Sequence, residues 1–374
     1  RWLDLSDAWI SVQNTHPSDD VGAILATADY VSRTRAAAGK PPLKMAMVLD
    51  AMVRAHEVQG ALGAEMSFNE HGIDNVFLTK IACAAVVAKL LGGGRDEILA
   101  ATSLAFFEPS LCVHRYGSNT GPRKGWAGGD SGSQAVRFAM MAVAGEQGYP
   151  QVISHPQWGF SKSFFGGKEL RIGPLGEAVI QGVTYKLHPV VIHVQSAVEC
   201  ALRLYPKVKD RWQDIAEIRI STHGQVMLKV NKTGPLRNAA DRDHSIQYPI
   251  AKTLLNGRLS AHDYADEAAT DPRIDSLRAL TTVTEEARYT EACLDPKRSA
   301  SPHGMEILFK DGCSTGRVEV EYPVGHASRR SEALPLLAAK FERILDARFG
   351  SERGSIIAAQ CRDAARLAAM PAHE

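Results

Sequence analysis

The sequence predicts an α+β protein in which a mainly helical part is interrupted by a section that also contains strands. Apolar residues recur at helical spacing through the first 150 residues and again after residue 330. Between them, short apolar runs alternate with turn residues. The return to helix at the end predicts a discontinuous helical domain, residues 1–184 and 326–374, around an α+β domain of residues 185–325.

The first part is predicted to contain five helices. Pro17 and Ser18 form a start signal for the first helix, which is expected to end near Arg35. The spacing of apolar side chains predicts the others at 45–59, 75–91, 96–107 and 130–144. Their Ala-rich faces favour close packing, so we expect these faces to form core.

Strand signals begin after Tyr149 and Pro150. Residues 305–322 alternate between apolar and polar side chains around Asp311-Gly312, which predicts a hairpin with its turn at that pair. The apolar run 215–221 predicts a further strand. Helices are expected at 190–204, 245–256, 274–280, 331–349 and 355–370.

Charge and composition exclude several classes of partner. The 43 Lys and Arg residues and the 42 Asp and Glu residues leave a net charge of +1, so no overall field attracts nucleic acid or an anionic membrane. Lys80 and Lys89 interrupt the longest apolar run, residues 76–91, which is too short to span a membrane. We therefore expect neither a nucleic-acid partner nor membrane association, and any anion site must be local.

The six cysteines lie far apart and form neither a CxxC pair nor a Cys/His zinc spacing. We expect reduced thiols in an intracellular protein. The close spacings usual for iron–sulfur ligands are missing, although spacing alone leaves a cluster open.

Residues 111–135 gather cations on a glycine-rich stretch. Arg115, Arg123 and Lys124 lie there with His114, and a helix is expected to open at Asp130 or Ser131. Glycine lets backbone N–H groups approach an oxyanion, and Arg and Lys add charge-assisted hydrogen bonds, so the stretch suits an anionic ligand. A solvated loop is the alternative. Neither a Walker A loop nor a GxGxxG fingerprint is present, so nucleotide binding is not predicted.

Further clusters combine basic residues with histidine. They contain Lys186, His188 and His193; Arg237, Arg242, His244 and Tyr248, with Asp241 and Asp243; and His326, Arg329 and Arg330. Each alone could be a helix cap or an exposed salt-bridge patch. Together, in a chain without net basic charge, they favour one polyanion site. Near the start, Asp4, Asp7 and His16 form a candidate acid/base group, with a helix cap or surface pair as the alternative.

Five segments carry a family resemblance: HPSDDVGAILATADY, MVRAHEVQGALGAEMSFN, NTGPRKGWAGGDSGSQAVR, GPLRNAADRDHSIQY and VEVEYPVGHASRR. They resemble the MmgE/PrpD family, and most of all its 2-methylcitrate dehydratases, from Arg1 to about Phe349. The resemblance implies a large helical domain built from both ends of the chain, a smaller α+β lid inserted between them, and a homodimer. Family members have a further helical segment ahead of the position of Arg1, so we expect that the natural N-terminal segment is missing here.

The resemblance also implies site residues. It places the family's acidic residue at Asp4 and the histidine of its His-Pro-Ser motif at His16. The two active-site lysines fall on Lys124 and Lys186, and the tyrosine falls on Tyr248. Where itaconate-forming decarboxylases have a histidine, this chain has Asp74, as the dehydratases do, and Ala8 replaces the decarboxylases' threonine. Both differences favour dehydration over decarboxylation.

Dehydration of a 2-alkylcitrate needs fixed cations for the developing carboxylate charge, a base and an acid. Our hypothesis assigns the tricarboxylate clamp to Lys124, Lys186 and Arg123, with Arg115, His188, His244 and Arg242 as further substrate-binding residues. His16, oriented by Asp4, is expected to transfer protons, and Asp74 and Tyr248 are candidates for the second transfer. Which group is base and which is acid stays open, and we expect no metal or other cofactor.

The expected partner is thus a small tricarboxylate, in a cytoplasmic protein or, in a eukaryote, one of the mitochondrial matrix. Three alternatives remain. The chain could dehydrate a longer alkylcitrate in a biosynthetic pathway, decarboxylate cis-aconitate, or be an inactive carboxylate-binding remnant.

Overall fold

The computed structural model describes residues 4–116, 119–295 and 297–374. The chain forms two compact units, each assembled from separate segments. The helical unit comprises Ser6–Cys112, Trp126–Val183 and Leu334–Glu374, and the α+β unit comprises Arg1–Leu5, Val113–Gly125 and Thr184–Ala333. The domain limits drawn from the sequence at 184 and 326 stay a prediction, and the α+β unit seen here includes two short segments from the first third of the chain.

The helical unit is built around one almost fully buried helix. Thirteen of the 15 residues of Val76–Leu90 are buried, as expected for a helix that is apolar on all sides. The helices predicted at 45–59, 75–91 and 96–107 are confirmed, with ends shifted by up to five residues. The α-helices of this unit are Val21–Ala37, Met45–Ala64, Val76–Leu90, Arg95–Ala105, Phe160–Phe165, Val179–Gly182, Ser351–Arg362, Ala364–Ala369 and most of Arg123–Val143 and Arg330–Phe349, with 3-10 turns at Pro17–Asp20 and Asn69–His71.

The helix expected to open at Asp130 or Ser131 begins at Arg123, so its start was predicted seven or eight residues too late and Gly125 lies within it. Gly121 and Pro122 precede the helix, as the expected break in regular structure requires, and Gly117 lies outside the described residues.

The glycines within the helix Arg123–Val143 allow close packing. A Cβ added at Gly128 would lie 2.6 Å from Asp19 Oδ2, and one at Gly132 would lie 3.3 Å from Ala23 Cβ. Packing therefore outweighs the roughly 1 kcal/mol that glycine costs within a helix.

The C-terminal helix predicted at 355–370 is divided into Ser351–Arg362 and Ala364–Ala369. Asp363 has a non-helical ψ of 90°, and its side chain accepts the backbone N–H of Arg366. A residue that caps one helix cannot also continue the helix before it, which explains the break. Within the described ranges, no helix combines the length and the apolar character needed to cross a membrane.

The α+β unit contains a four-stranded sheet. Its strands are β1 Ile215–Thr222, β2 Thr281–Glu285, β3 His303–Phe309 and β4 Val318–Val320. Across the sheet they lie in the order β2-β1-β3-β4. β2 runs parallel to β1, while β3 pairs antiparallel with both β1 and β4. The predicted turn is confirmed, because Gly312 has a φ of 84° and donates its N–H to Phe309 O at 3.0 Å. The sequence did not predict β2, which lies at the edge of the sheet and contains one apolar residue, Val283, among four polar ones.

Helices cover the sheet of the α+β unit and form its core. Gln195–Val208 and Gln247–Asn256 contribute Val198, Leu204 and Ile250 to the buried cluster that contains Ile218 and Ile307. Both helices were predicted, with starts up to five residues earlier. The remaining α-helices of the unit are Val113–Tyr116, Gly224–Lys229, Ala239–Asp243, Asp266–Ala269, Pro272–Ala279 and Ala287–Leu294, with 3-10 turns at Ile192–Val194, Trp212–Asp214, Ala261–Tyr264 and Ala327–Arg329.

Candidate active site

A buried cluster of ionisable side chains lies within the α+β unit. Lys124 Nζ is 3.1 Å from Asp4 Oδ1 and 2.9 Å from Asp243 Oδ2, and Lys186 Nζ is 3.0 Å from the same Asp4 oxygen. The His244 ring donates through Nδ1 to Asp243. All five side chains are buried. We call this group the lysine cluster; burial of so many charges is costly unless they are paired, as they are here.

Local structure holds each member of the lysine cluster. Lys124 is the second residue of the helix Arg123–Val143, and Asp243 ends the short helix Ala239–Asp243. The backbone beside Lys186 is tied by the Tyr185 N–H, which donates to Gly325 O at 3.0 Å. Asp4 has a φ of 50°, in the left-handed region that residues other than glycine seldom adopt. Such a conformation persists only where surrounding interactions enforce it.

The lysine cluster keeps Asp4 ionised and His244 neutral. Burial alone would raise the pKa of Asp4, but the ammonium groups of Lys124 and Lys186 outweigh it and hold that pKa well below its usual range. Burial, followed by the charge of Lys124, lowers the pKa of His244 to about 4 despite the Asp243 carboxylate. Asp4 Oδ2 is buried and has no hydrogen-bond partner among the residues described. The lysine cluster therefore contains a buried, ionised carboxylate oxygen without a described donor.

A cavity of about 290 Å³ adjoins the lysine cluster. Lys124 and Asp243 contribute to its wall, together with Tyr264. The other lining residues are Pro122, Gly125, Asn238, Ala239, Ala240, Ala261, Ala265 and Asp266. A mostly small-residue wall with a few ionised groups is typical of a site for a small polar molecule.

Comparison with known proteins places the chain in a family. The MmgE/PrpD N-terminal domain matches residues 1–173 and the MmgE/PrpD C-terminal domain matches residues 188–364. The chain belongs to the MmgE/PrpD family. The resemblance noted in the sequence is therefore confirmed.

Three relatives show how far the similarity extends. The chain is 46% identical over 380 residues to the 2-methylcitrate dehydratase of Cupriavidus necator, covering 100% of this chain and 78% of that protein. The 2-methylcitrate dehydratase of Salmonella typhimurium is 45% identical over 380 residues, with 100% and 79% covered. The mitochondrial 2-methylcitrate dehydratase of Yarrowia lipolytica is 43% identical over 357 residues, with 93% and 68% covered.

Within this MmgE/PrpD chain, four residues proposed from the sequence meet in the lysine cluster: Asp4, Lys124, Lys186 and His244. The sequence did not single out Asp243 as a site residue. Two features of the sequence could have indicated Asp243. It directly precedes His244, and it follows Asn238, a residue type that often caps a helix and here caps Ala239–Asp243. Their catalytic and binding roles stay predictions.

Two further predicted residues contact residues of the cavity wall without lining the cavity themselves. Arg242 Nη1 donates to Tyr264 O and to Asp266 Oδ1, both at 2.7 Å. Tyr248 Oη donates to the backbone oxygen of Asp263 at 2.7 Å, and burial raises its pKa to about 12. Neither side chain lines the cavity among the residues described.

Three other predicted residues lie in the α+β unit. Arg115 is buried, and its backbone oxygen accepts the hydroxyl of Thr120. Arg123 is half-buried at the first position of its helix. The backbone N–H of His188 donates to Gln195 Oε1 at 3.3 Å. Their part in binding substrate stays a prediction.

His16 and Asp74 belong to the helical unit. The His16 ring donates through Nδ1 to Asp7 O at 2.5 Å, and that bond places the basic lone pair on Nε2. Asp74 is fully buried, and its Oδ1 accepts the N–H of Val76 at 3.4 Å, at the start of a helix. Asp4 belongs to the α+β unit, so the orientation of His16 by Asp4 stays a prediction.

The helical unit also holds a buried group of charged side chains around His56. His56 Nδ1 lies 3.2 Å from Asp20 Oδ2, and His56 Nε2 lies 3.6 Å from Asp7 Oδ2. Burial opposes the charge on His56, but both carboxylates outweigh it and raise its pKa to about 10. His56 is therefore a cation at neutral pH.

Asp4, Asp243 and His244 could together hold a metal ion, since their ligand atoms lie within 4.8 Å of one another. The same two carboxylates already accept the ammonium groups of Lys124 and Lys186. A divalent cation would have to approach both ammonium groups closely, which is electrostatically unfavourable. The arrangement fits an anionic ligand better than a metal.

Proposed function

We propose that this chain is a hydro-lyase that converts 2-methylcitrate to 2-methyl-cis-aconitate. Membership of the MmgE/PrpD family, and similarity over the whole chain to proteins named 2-methylcitrate dehydratase, support the reaction. The observation that carries the proposal is the lysine cluster beside a cavity of about 290 Å³.

The elimination makes specific demands on the site. A base takes the proton from carbon next to a carboxylate, the electron pair forms the double bond, and the hydroxyl leaves as water after taking a proton. Negative charge accumulates on the carboxylate beside the deprotonated carbon. Buried ammonium groups are suited to stabilise it, because electrostatic interactions are strong where water is excluded. In this proposal Lys124, which lines the cavity, and Lys186 behind it supply that charge.

Charge balance indicates that the lysine cluster needs help to bind a trianion. Lys124 and Lys186 are matched by Asp4 and Asp243, and His244 is neutral at ordinary pH. Additional positive charge must therefore come from elsewhere. Arg123, one residue before Lys124 at a helix N-terminus, is the proposed source.

We also propose that the reaction needs no cofactor, with proton transfer divided between His16 and a second group, Asp74 or Tyr248. The close approach of two ammonium groups to the carboxylates of the candidate metal group supports this view. A homodimer and a cytoplasmic or mitochondrial location stay predictions from the family resemblance.

The test is turnover by the 374-residue chain after treatment with a chelator. 2-Methylcitrate, citrate and cis-aconitate are supplied in parallel, and the products are followed by absorbance of the unsaturated acid and by mass spectrometry. We expect chelator-resistant loss of water from 2-methylcitrate. Carbon dioxide from cis-aconitate would instead identify a decarboxylase, and ligand-induced stabilisation without turnover would identify a carboxylate-binding protein.

Lys232→Met is a matched control for Lys124→Met. Lys232 Nζ also pairs with a buried carboxylate of the α+β unit, Asp241, at 2.7 Å, but it does not line the cavity. We expect Lys124→Met to lose more than tenfold in turnover and Lys232→Met to keep turnover near that of the unmodified chain. Equal losses in both variants would mean that only stability had changed.

A further inference from the structure

Tyr264 lines the cavity and has a buried hydroxyl. Its side chain is 5% exposed and lines the cavity with Lys124 and Asp243. Its oxygen has no hydrogen-bond partner among the residues that the structure describes. Buried hydroxyls are normally hydrogen-bonded, and leaving one unpaired costs free energy. An unpaired hydroxyl in a cavity wall therefore points to a ligand that completes the bond.

The position of Tyr264 is held from several sides. It ends the 3-10 turn Ala261–Tyr264, which Ser260 and Asp263 stabilise by a capping box. Arg242 donates to its backbone oxygen at 2.7 Å. Its ring stacks on Tyr248, with centroids 5.9 Å apart and planes at 27°. The hydroxyl is thus presented by a preorganised wall rather than by a mobile loop.

Tyr248 provides the contrast. Both tyrosines are buried and their rings are in contact, yet the Tyr248 hydroxyl is already committed to Asp263 O at 2.7 Å. Of these two tyrosines, Tyr264 alone lines the cavity. The Tyr248 hydroxyl therefore already has a protein partner, whereas the hydroxyl of its stacking partner has none among the residues described.

The Tyr264 hydroxyl is a neutral donor. Burial, followed by the nearby Asp243 and Asp4 carboxylates, raises the pKa of Tyr264 well above its usual value. The charged ammonium group of Lys124 binds a substrate carboxylate more strongly than a neutral phenol does. The Tyr264 hydroxyl is instead suited to an uncharged oxygen of the ligand. On a hydroxy-tricarboxylate, that oxygen is the tertiary hydroxyl.

We propose that Tyr264 Oη donates the hydrogen bond that binds the tertiary hydroxyl of the substrate, the group that is lost as water. This inference rests on the proposed function and deepens it by assigning a residue to the leaving group. As the C–O bond breaks and its electron pair stays on oxygen, the hydrogen bond strengthens. It therefore favours the transition state over the bound substrate. The proton that completes the water comes from the acid of the reaction, and Tyr264 keeps its own.

The experiment compares Tyr264→Phe in the full chain with the matched variant Tyr289→Phe, which changes another buried tyrosine of the α+β unit that does not line the cavity. Binding of citrate and of propane-1,2,3-tricarboxylate, which differ by the tertiary hydroxyl, is measured by calorimetry. We expect the unmodified chain and Tyr289→Phe to prefer citrate, and Tyr264→Phe to lose about 3- to 10-fold of that preference, the worth of one hydrogen bond. Turnover of 2-methylcitrate should fall at least tenfold in kcat for Tyr264→Phe, with a smaller change in KM.

Stability supplies an independent readout. Tyr264→Phe removes a hydroxyl without a described protein partner, so its melting temperature should equal or exceed that of the unmodified chain. Tyr289→Phe removes a hydroxyl that accepts hydrogen bonds from Arg288 and Arg317, so this variant should melt lower. A preference for citrate that survives in Tyr264→Phe overturns the proposal, as does an unmodified chain that binds neither acid. Failure of the unmodified chain to dehydrate 2-methylcitrate refutes the proposed function alone, because the citrate preference still decides the role of Tyr264.

Discussion

Replacement of Lys124 by Met tests whether charge pairing determines both the stability and the activity of the lysine cluster. The substitution removes an ammonium group 3.1 Å from Asp4 and 2.9 Å from Asp243 and keeps the volume of the side chain. Loss of one partner of a buried ion pair costs about 3–5 kcal/mol. Asp4 retains Lys186 at 3.0 Å, and Asp243 retains His244, so we expect the lower end, about 3 kcal/mol.

A second substitution separates the lost attraction from the carboxylate left behind. In Lys124→Met with Asp243→Asn, the buried negative charge is also removed, while the amide oxygen can still accept the His244 ring. Most of the cost of breaking a buried pair arises from the uncompensated charge. The double variant should therefore regain about 1–2 kcal/mol relative to Lys124→Met. Neither variant should recover turnover, because both lack the ammonium group in the cavity wall.

The assay is urea unfolding followed by circular dichroism, with turnover of 2-methylcitrate measured on the same samples. A double variant no more stable than the single would refute the reasoning. Turnover by Lys124→Met at the unmodified rate would refute the catalytic role of Lys124.

Two further predictions concern buried histidines. The pKa of His56 is raised to about 10, so its stabilisation is complete below pH 6.5 and is lost as pH rises towards 10. Between pH 7 and pH 9.5, urea unfolding should show that the free energy of unfolding falls by about 3 kcal/mol, a fall that His56→Gln abolishes. Burial lowers the pKa of His303 to about 4, so its stabilisation is present above pH 6.5 and is lost as pH falls towards 4. His303→Gln should reduce the acid destabilisation by up to about 3 kcal/mol, and an unchanged slope would contradict the assignment.

Local patterns in the sequence were sufficient for the elements and the family. The apolar periodicity predicted Val76–Leu90, which is buried on nearly all sides, and Asp311-Gly312 predicted the turn between β3 and β4. Both depend on interactions between residues close in the chain, so short windows reveal them. The distinctive segments around His16, Lys124 and Tyr248 indicated the MmgE/PrpD family, which the comparisons confirmed.

The chemistry of individual side chains was decided by tertiary contacts. In a sequence, glycine is equally typical of a turn and of a close approach between elements. The structure shows that Gly128 lies within a helix, where it packs closely against Asp19. Tyr248 and Tyr264 are both buried tyrosines, but the Tyr248 hydroxyl donates to a backbone oxygen, whereas the hydroxyl of the cavity-lining Tyr264 has no partner among the residues described. Sequence determines which groups are present. Whether a group is paired, charged or open to a ligand depends on neighbours that are remote in the chain, such as Lys124 and Asp243, and folding alone brings these together.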